Sequence, residues 1–382
     1  MKILVVSWSF PPIPGPRAIK AAAIASELMK LGHDVSIITR GDSTNFPHEL
    51  VDRAKRVEFM NPKESRILPV DLSESTRLLS RAWFSRKING ALYRFFCYPA
   101  ISAFFKTVVA LRKFRGEAFD ATISVDGPQP LHWAVARSRG RRDLDLGVWI
   151  ADCGDPLLRG LPGNMPAGYF KIIENKFVRA ADVITVPVRQ GVDYFERRHA
   201  NKIFTVPHSL VFPSKRPKPE IDRAPSATAG NMRIGYAGNL SPYRDKFFDF
   251  ISALPRTSGC EFHIFGENAA IIGQARARFP DKRNLILERG AVSRGALLPE
   301  LPAFDFLVLF AYESGIQVPF KTIDYSFSGR PILLFESRER TTPILNEFLS
   351  GDFRNEFEAP DFERYAAENT VPQYISLIER LR

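Results

Sequence analysis

Lys321 and Asp324 are the two residues whose types and spacing most directly suggest chemistry. Pro319 and Gly329 delimit their segment and predict a helix, because proline suits a first helical turn and glycine suits the residue after the last turn. Residues three apart share a helix face, so both side chains project together. An ammonium near the positive end of a helix can neutralise a phosphate, and a carboxylate can accept hydrogen bonds from ribose hydroxyls. The pair predicts a site for a phosphorylated sugar, although a surface ion pair has the same spacing.

The composition limits the classes of function. At 382 residues, of which 45% are apolar, the chain is long enough for two domains. A net charge of +11 indicates nucleic acid, an anionic membrane surface or anionic small ligands as partners. The three cysteines are far apart and odd in number, so neither a disulfide framework nor a zinc site is expected. The sequence shows neither a secretion signal nor a membrane span of ~20 apolar residues, so we expect a cytoplasmic protein, free or peripheral on the inner membrane face.

Two halves of the sequence each begin with a strand, a loop and a helix. The first half starts at residues 3–6 and the second at residues 234–239. Short buried-type strands then alternate with helical stretches, which is typical of doubly wound α/β domains. Ligands of such sheets bind at the carboxyl ends of the strands. The predicted fold is therefore α/β, with two Rossmann-like doubly wound domains that face a cleft.

The domain boundaries follow from composition. Residues 213–231 are rich in proline, charged residues and small residues, which predicts a linker. We therefore expect an N-terminal acceptor-side domain over residues 1–212 and a donor domain over residues 232–360. A last helix within residues 361–382 would pack back on the first domain.

Four stretches, in order along nearly the whole chain, resemble the GT-B glycosyltransferases and most closely glycosyltransferase family 4. They are residues 1–7 with the glycine loop at 15–18, residues 149–152 with 180–184, residues 234–240, and residues 318–332. The resemblance implies the GT-B fold and transfer of a sugar from a nucleotide-diphosphate sugar, with retention of configuration. The acceptor would be a glycan or a lipid-linked glycan.

On the donor side, the resemblance assigns a role to each matching residue. Asp324 matches the acidic position that holds the nucleotide ribose, where glutamate is the usual residue. Lys321 matches a position that contacts the donor phosphates. Gly238 and Asn239 match the turn whose backbone approaches those phosphates.

Fixed positive charge is the main requirement of the implied reaction, because the departing pyrophosphate gains negative charge as the sugar becomes cationic. A basic residue follows the donor-domain turn in the resembled family, and either Arg244 or Lys246 fits that position. Together with Lys321 they would supply the charge without a metal. Asp143 and Asp145 form a DxD pattern, but their charged surroundings predict a solvated turn, so we expect no metal and no other cofactor.

Candidate residues of the first domain follow its predicted strands and loops. Gly15 matches the family's glycine loop near the transferred sugar. His132 follows a Pro/Gly loop and is a candidate for contact with the sugar or acceptor, and a histidine satisfied by its neighbours is the alternative. Asp126, Asp152 and Asp155 are acceptor-side candidates, with turn or helix capping as the alternative.

Residues 77–115 contain nine basic and nine aromatic side chains and no acidic one. This composition is typical of an interfacial element whose cations meet anionic headgroups while its aromatic residues enter the interface. Such an element would present a lipid-linked acceptor to the enzyme. The alternative is that the aromatic residues form domain core and the cations a solvated face.

The sequence therefore favours a glycosyltransferase of surface polysaccharide or glycoconjugate synthesis. A nucleotide-sugar epimerase of the same fold is the alternative, but it would need more ionisable groups around the sugar. A non-catalytic nucleic-acid binder is less favoured, because no recognised binding module accompanies the positive charge. A dinucleotide oxidoreductase is not expected, because neither opening strand is followed by Gly-x-Gly-x-x-Gly.

Overall fold

The computed structural model describes eight stretches of the chain: residues 1–13, 15–41, 46–60, 91–154, 168–213, 232–255, 259–311 and 319–382. The chain divides into two compact units. The first comprises Met1–Val211 with Arg364–Arg382, and the second comprises Phe212–Glu363. Each unit is built around its own parallel sheet.

Among its described residues before residue 211, the first unit contains seven strands and five α-helices whose full bounds are described. The strands are β1 (Lys2–Ser7), β2 (Asp34–Arg40), β3 (Arg56–Met60), β4 (Ala121–Val125), β5 (Val148–Asp152), β6 (Val183–Val186) and β7 (Ile203–Thr205). The helices are α1 (Pro16–Lys30), α2 (His48–Arg53), α3 (Ser102–Arg112), α4 (Pro130–Arg139) and α5 (Phe170–Ala180). Residues 91–96 are also helical.

The strand order of the first sheet is β3-β2-β1-β4-β5-β6-β7. Alternate residues of β1 point into two different hydrophobic clusters: Leu4 and Val6 into one, Ile3 and Val5 into the other. Both faces of the sheet are therefore covered, which explains the continuous apolar runs of these strands. Sequence order reverses between β1 and β4, and their carboxyl ends form the crevice where ligands of open α/β sheets bind.

The second unit repeats this plan with five strands and five helices among its described residues. The strands are β8 (Met232–Ala237), β9 (Cys260–Phe265), β10 (Ile286–Gly290), β11 (Phe306–Phe310) and β12 (Ile332–Phe335). The helices are α6 (Arg244–Ala253), α7 (Ala269–Arg278), α8 (Arg294–Glu300), α9 (Phe320–Ser328) and α10 (Arg338–Leu349). The sheet order is β10-β9-β8-β11-β12, so the reversal lies between β8 and β11.

Helix α9 confirms the helix predicted between Pro319 and Gly329. Pro319 is the residue just before its first turn, and Gly329 ends it in the left-handed conformation with a φ of 71°. Ile323 and Phe327 are 0% and 1% exposed, so they form the inward face. The helix connects β11 to β12, which brings its first turn to the carboxyl end of the sheet, beside the β8/β11 crevice.

The last helix, α11 (Ala367–Glu379), belongs to the first unit. Val371, Tyr374 and Ile378 pack in the same hydrophobic cluster as Ile24 of α1. A backbone bridge between Leu210 and Ala366 holds the start of this helix. None of the helices in the described stretches combines the length and apolar character that a bilayer crossing requires.

Candidate donor site

The turn after β8 approaches the ammonium group of Lys321. Gly238 has a φ of 130°, and a Cβ atom at this position would lie 3.2 Å from Lys321 Nζ. Glycine therefore meets two requirements here, a backbone conformation that other residues rarely adopt and close approach to a cation. The Gly238 amide donates to the Phe265 carbonyl (3.0 Å), which anchors the turn to the neighbouring strand β9.

Asn268 holds this turn from the other side, and sequence reasoning missed it. Its side chain is almost fully buried; Nδ2 donates to the Gly238 carbonyl (2.8 Å) and Oδ1 accepts from the Leu240 amide (2.9 Å). The Asn239 carbonyl accepts from the Tyr236 hydroxyl at 3.0 Å. These bonds satisfy backbone groups of the turn and hold it in one conformation, so the turn is preorganised.

Lys321 lies among aromatic side chains. Its Nζ donates to the Tyr236 hydroxyl at 2.9 Å, and lies 4.6 Å from the ring centroid of Tyr236 and 4.7 Å from that of Tyr243. Among the described residues, no carboxylate pairs with it. Burial lowers the pKa of this amine from 10.5 to about 8. The crevice therefore contains a buried cation that no described carboxylate neutralises, which suits an anionic ligand.

Asp324, one turn further along α9, pairs with a residue that sequence reasoning did not identify. Its Oδ1 accepts from Arg294 Nε at 2.9 Å and from Arg294 Nη2 at 2.7 Å. Burial raises the pKa of Asp324, and the Arg294 guanidinium opposes that rise. Arg294 is the first residue of α8, where the helix dipole disfavours a cation. An arginine at the start of a helix is the one sequence feature that could have indicated an acidic partner for Arg294, but it does not identify Asp324 as that partner.

The structure separates the two basic candidates that follow the turn. Arg244 donates to Gln274 Oε1 through Nε (3.1 Å) and Nη2 (2.9 Å), and its guanidinium lies 4.9 Å from the Phe248 ring centroid. Lys246 instead donates to the Ala311 carbonyl at 2.6 Å, directly after β11. Lys246 is therefore at the β8/β11 crevice, whereas Arg244 is held against α7.

In the first unit, the β1/β4 crevice brings together Gly15 and Asp126. Gly15 precedes α1 with a φ of 137°, and a Cβ there would meet no atom of the described residues within 4 Å. Asp126 is 2% exposed and accepts from Arg17 Nε at 3.1 Å. Arg17 also covers Gly127 so closely that a Cβ there would displace the arginine side chain. Sequence reasoning missed Arg17, whose partner lies 109 residues further along the chain.

His132 lies in the core of the first unit rather than at a surface. It is 0% exposed, its Nδ1 lies 2.8 Å from Ser124 Oγ, and its ring stacks on Phe177 at 5.5 Å. Ser124 Oγ also accepts from Trp149 Nε1 at 2.7 Å. Burial lowers the pKa of His132. This environment matches the structural alternative, a histidine satisfied by its neighbours, because α4 turns the residue toward Ser124 of β4 and Phe177 of α5.

Asp152 is 1% exposed and its carboxylate is engaged by protein groups. Lys20 Nζ lies 2.8 Å from Oδ1 and 2.7 Å from Oδ2. Oδ1 also accepts from Thr185 Oγ1 (2.8 Å) and from the Tyr374 hydroxyl (3.0 Å) of α11. The contacts leave Asp152 a structural role that joins α1, β5, β6 and α11. Asp155, the neighbouring candidate, lies outside the described residues.

The DxD pair forms a charged turn. Asp143 pairs with Arg141 at 3.1 Å and Arg115 at 2.9 Å, and Asp145 accepts from the Gly147 amide at 3.0 Å. In the stretches that the structure describes, no group of three His, Cys, Asp or Glu side chains is arranged to hold a metal.

The basic aromatic segment 77–115 is described from residue 91 onwards. Phe95 and Phe96 are 49% and 64% exposed, so they extend from the surface. Phe104 packs against the core and Phe114 is fully buried within it. The described aromatic residues of this segment therefore divide between the protein surface and the core, and the membrane contact stays a prediction. Residues 77–90 lie outside the described residues.

The comparisons with known proteins identify the fold. No protein-family model matches the sequence, and no curated protein matches it. HepE from Anabaena in complex with UDP has a TM-score of 0.62 at 13% identity over 100% of both chains. The lipopolysaccharide outer core galactosyltransferase WaaB has a TM-score of 0.59 at 12% identity over 100% of this chain and 99% of the other. A putative UDP-N-acetylglucosamine 2-epimerase from Listeria monocytogenes reaches 0.55 at 12% identity over 99% and 96%.

At these identities the similarity shows the fold alone, and the resemblance to glycosyltransferase family 4 stays a prediction. The predicted fold class is confirmed by the two parallel sheets, of seven and five strands, and by these matches over whole chains. The chain therefore has the fold of the GT-B glycosyltransferases, in which each of the two units is a Rossmann-like domain.

Proposed function

We propose that this protein is a glycosyltransferase that moves a sugar from a nucleotide-diphosphate sugar to a glycan or lipid-linked acceptor. The observation that carries the proposal is the β8/β11 crevice of the second unit. There the buried ammonium of Lys321, which has no carboxylate partner among the described residues, lies against the Gly238 turn. The carboxylate of Asp324 follows one helical turn later on α9. An ammonium group and a neighbouring backbone turn can bind a diphosphate, and a carboxylate can accept hydrogen bonds from ribose hydroxyls.

Each group of the crevice has a part in this proposal. The donor diphosphate would lie over the Gly238 turn, within reach of the Lys321 ammonium. Lys246, whose ammonium contacts the Ala311 carbonyl just after β11, would add a second positive charge. Both cations stabilise the charge that develops on the leaving nucleoside diphosphate, which is the main catalytic demand of sugar transfer.

We further propose that the reaction proceeds with retention of configuration and that these lysines replace a metal ion. Proton NMR of the product formed in the first minutes would show the anomer of the donor sugar. Treatment with EDTA would leave the rate within about twofold of the untreated enzyme. The opposite anomer, or a rate restored only by added Mg²⁺ or Mn²⁺, would contradict these two points without affecting donor binding.

The acceptor would bind to the first unit, where no described atom lies within 4 Å of the position that a Cβ of residue 15 would take. The match to WaaB, named as a lipopolysaccharide outer core galactosyltransferase, supports an acceptor in surface glycan synthesis. The exposed rings of Phe95 and Phe96 beside Arg94 support a peripheral position on an anionic membrane. Sedimentation with phosphatidylglycerol vesicles tests this position, since Phe95→Ser with Phe96→Ser should reduce binding and unchanged binding would refute it.

Donor binding can be tested by thermal shift with UDP, GDP, ADP and their sugar conjugates. At least one should give saturable stabilisation in the wild type, and Lys321→Ala and Asp324→Ala should abolish it. Arg289→Ala is the matched control, because it removes an exposed arginine of the same unit that pairs with Glu300. No response to any nucleotide would contradict the proposed function.

A nucleotide-sugar epimerase of this fold is the second candidate, because a protein named as a putative epimerase matches over nearly the whole chain. Both enzymes would bind the same donor, so binding does not separate them. Incubation of the stabilising sugar nucleotide without acceptor does. Conversion to an epimeric sugar nucleotide would indicate the epimerase, whereas slow hydrolysis to free sugar and nucleoside diphosphate indicates the transferase.

A further inference from the structure

We propose that Arg294 is a positioning residue of the donor site that holds Asp324 for the ribose and thereby sets a preference for ribonucleotides over deoxyribonucleotides. This inference rests on the proposed function. It adds a residue from α8 to a site whose other groups come from the turn after β8, from α6 and from α9.

The first step is the asymmetry of the ion pair. Both nitrogens of Arg294 that contact Asp324 donate to the same oxygen, Oδ1, at 2.9 and 2.7 Å. Within the described chain, Oδ2 takes part in no hydrogen bond. One carboxylate oxygen is therefore fixed by the protein, and the other keeps both of its acceptor positions. Two adjacent hydroxyls, as on a ribose, are the complementary donors.

The second step is that Arg294 is itself held in place. Its guanidinium lies 4.8 Å from the ring centroid of Phe212. Phe212 stacks at 5.0 Å on Phe327, which is on the same helix as Asp324. The Arg294 and Asp324 side chains are only 15% and 10% exposed. Arg294 thus packs between the Phe212 ring, which Phe327 supports, and the carboxylate of Asp324. This packing leaves the Asp324 side chain little rotational freedom.

The third step concerns the length of the Asp324 side chain. Aspartate reaches one methylene less far than glutamate, so its ribose contact depends on the direction of the carboxylate. A guanidinium that binds Oδ1 sets that direction before the nucleotide arrives, which lowers the entropy cost of binding. It also offsets the burial that would otherwise favour the neutral acid, a poorer acceptor for the sugar hydroxyls.

The experiment compares UDP with 2′-deoxy-UDP, and GDP with 2′-deoxy-GDP, by isothermal titration calorimetry. A hydrogen bond to a charged group corresponds to about tenfold or more in affinity, so the wild type should prefer the ribose form by about tenfold. Arg294→Met should reduce the preference to about twofold while the affinity for the deoxy form changes little. Arg294→Lys should restore part of the preference, and Arg289→Met is the matched control that should retain all of it.

The outcomes are distinguishable. If Arg294→Met lowers the melting temperature but keeps the tenfold preference, the ion pair is structural only and the inference is wrong. If the wild type binds nucleoside diphosphates without any preference, the inference fails and the proposed function stands. If no nucleoside diphosphate binds, the proposed function fails first. Should the Met variant not fold, Arg294→Lys replaces it, and a preference equal to that of the wild type would refute the inference.

Discussion

Replacement of Lys321 by methionine should make the protein more stable and, at the same time, weaken its binding of the nucleotide donor. Methionine keeps the length and apolar stem of the side chain and removes only the charge. In the ligand-free protein that charge is buried between Tyr236 and Tyr243. A residue that weakens the fold but serves a ligand is the pattern expected of a binding site.

The size of the stability gain in Lys321→Met follows from the pKa of the Lys321 amine. Burial lowers it from 10.5 to about 8, and at 1.36 kcal/mol per unit the charged amine destabilises the folded state by about 3 kcal/mol at pH 7. The methionine variant forgoes two cation–π contacts, each of about 0.5–1 kcal/mol. The net gain is about 1–2 kcal/mol, or about 2–8 °C in melting temperature for a domain of this size.

The stability difference between the wild type and Lys321→Met should depend on pH. Because the folded pKa is lower than the unfolded one, the unfolded chain binds more protons between pH 8 and 10.5. The free energy of unfolding of the wild type should therefore rise relative to Lys321→Met as pH increases through this window. At pH 7 the stability gain of the variant is complete, and by pH 9.5 it should be largely lost.

Differential scanning fluorimetry at pH 7 and pH 9.5, with and without UDP and GDP, measures both effects. Loss of a charge-assisted hydrogen bond to phosphate should weaken nucleotide binding about 10- to 100-fold. Wild-type affinity should also fall above pH 8, while the weaker affinity of the variant should not. A destabilised variant with unchanged nucleotide affinity would refute the assignment of Lys321.

Three further predictions use the same assays. Lys246→Met should weaken nucleotide binding by about tenfold, which is less than the effect expected for Lys321→Met. Unchanged affinity would show that Lys246 is not part of the site. Gly238→Ala should reduce donor affinity because residue 238 has a φ of 130° and lies close to Lys321; unchanged affinity would show that the turn is not used. Asp152→Asn should lower the unfolding free energy by about 3–5 kcal/mol because Lys20 loses its buried partner. Its donor affinity should not change, and a folded, stable variant without activity would restore the acceptor role.

The features that the sequence predicts well are local. Helix α9 depends on Pro319 and Gly329, which are part of the same segment, and the parallel sheets follow from apolar runs that alternate with helical periodicity. Lys321 and Asp324 were predicted together for the same reason. Their partners were not, because Tyr236 and Arg294 are 85 and 30 residues distant in sequence and meet them only in the folded chain.

Burial explains the residues for which the sequence left two alternatives. His132 and Asp152 both follow strands, where polar side chains can reach a ligand or turn inward. The outcome depends on long-range partners: Ser124 and Phe177 for the histidine, Lys20 and Tyr374 for the aspartate. Lys20 is the least predictable of these, because a lysine that is 3% exposed lies on a helix face that is otherwise buried and mostly apolar.

The most direct test of the donor site is a crystal structure of the protein with the nucleoside diphosphate that stabilises it most. We expect the diphosphate at the β8/β11 crevice, with phosphate oxygens about 3 Å from Lys321 Nζ and the Gly238 turn. The ribose hydroxyls should contact Oδ2 of Asp324 while Arg294 stays on Oδ1. A nucleotide bound at the Gly15 crevice of the first unit instead, with Lys321 still on Tyr236, would contradict this assignment.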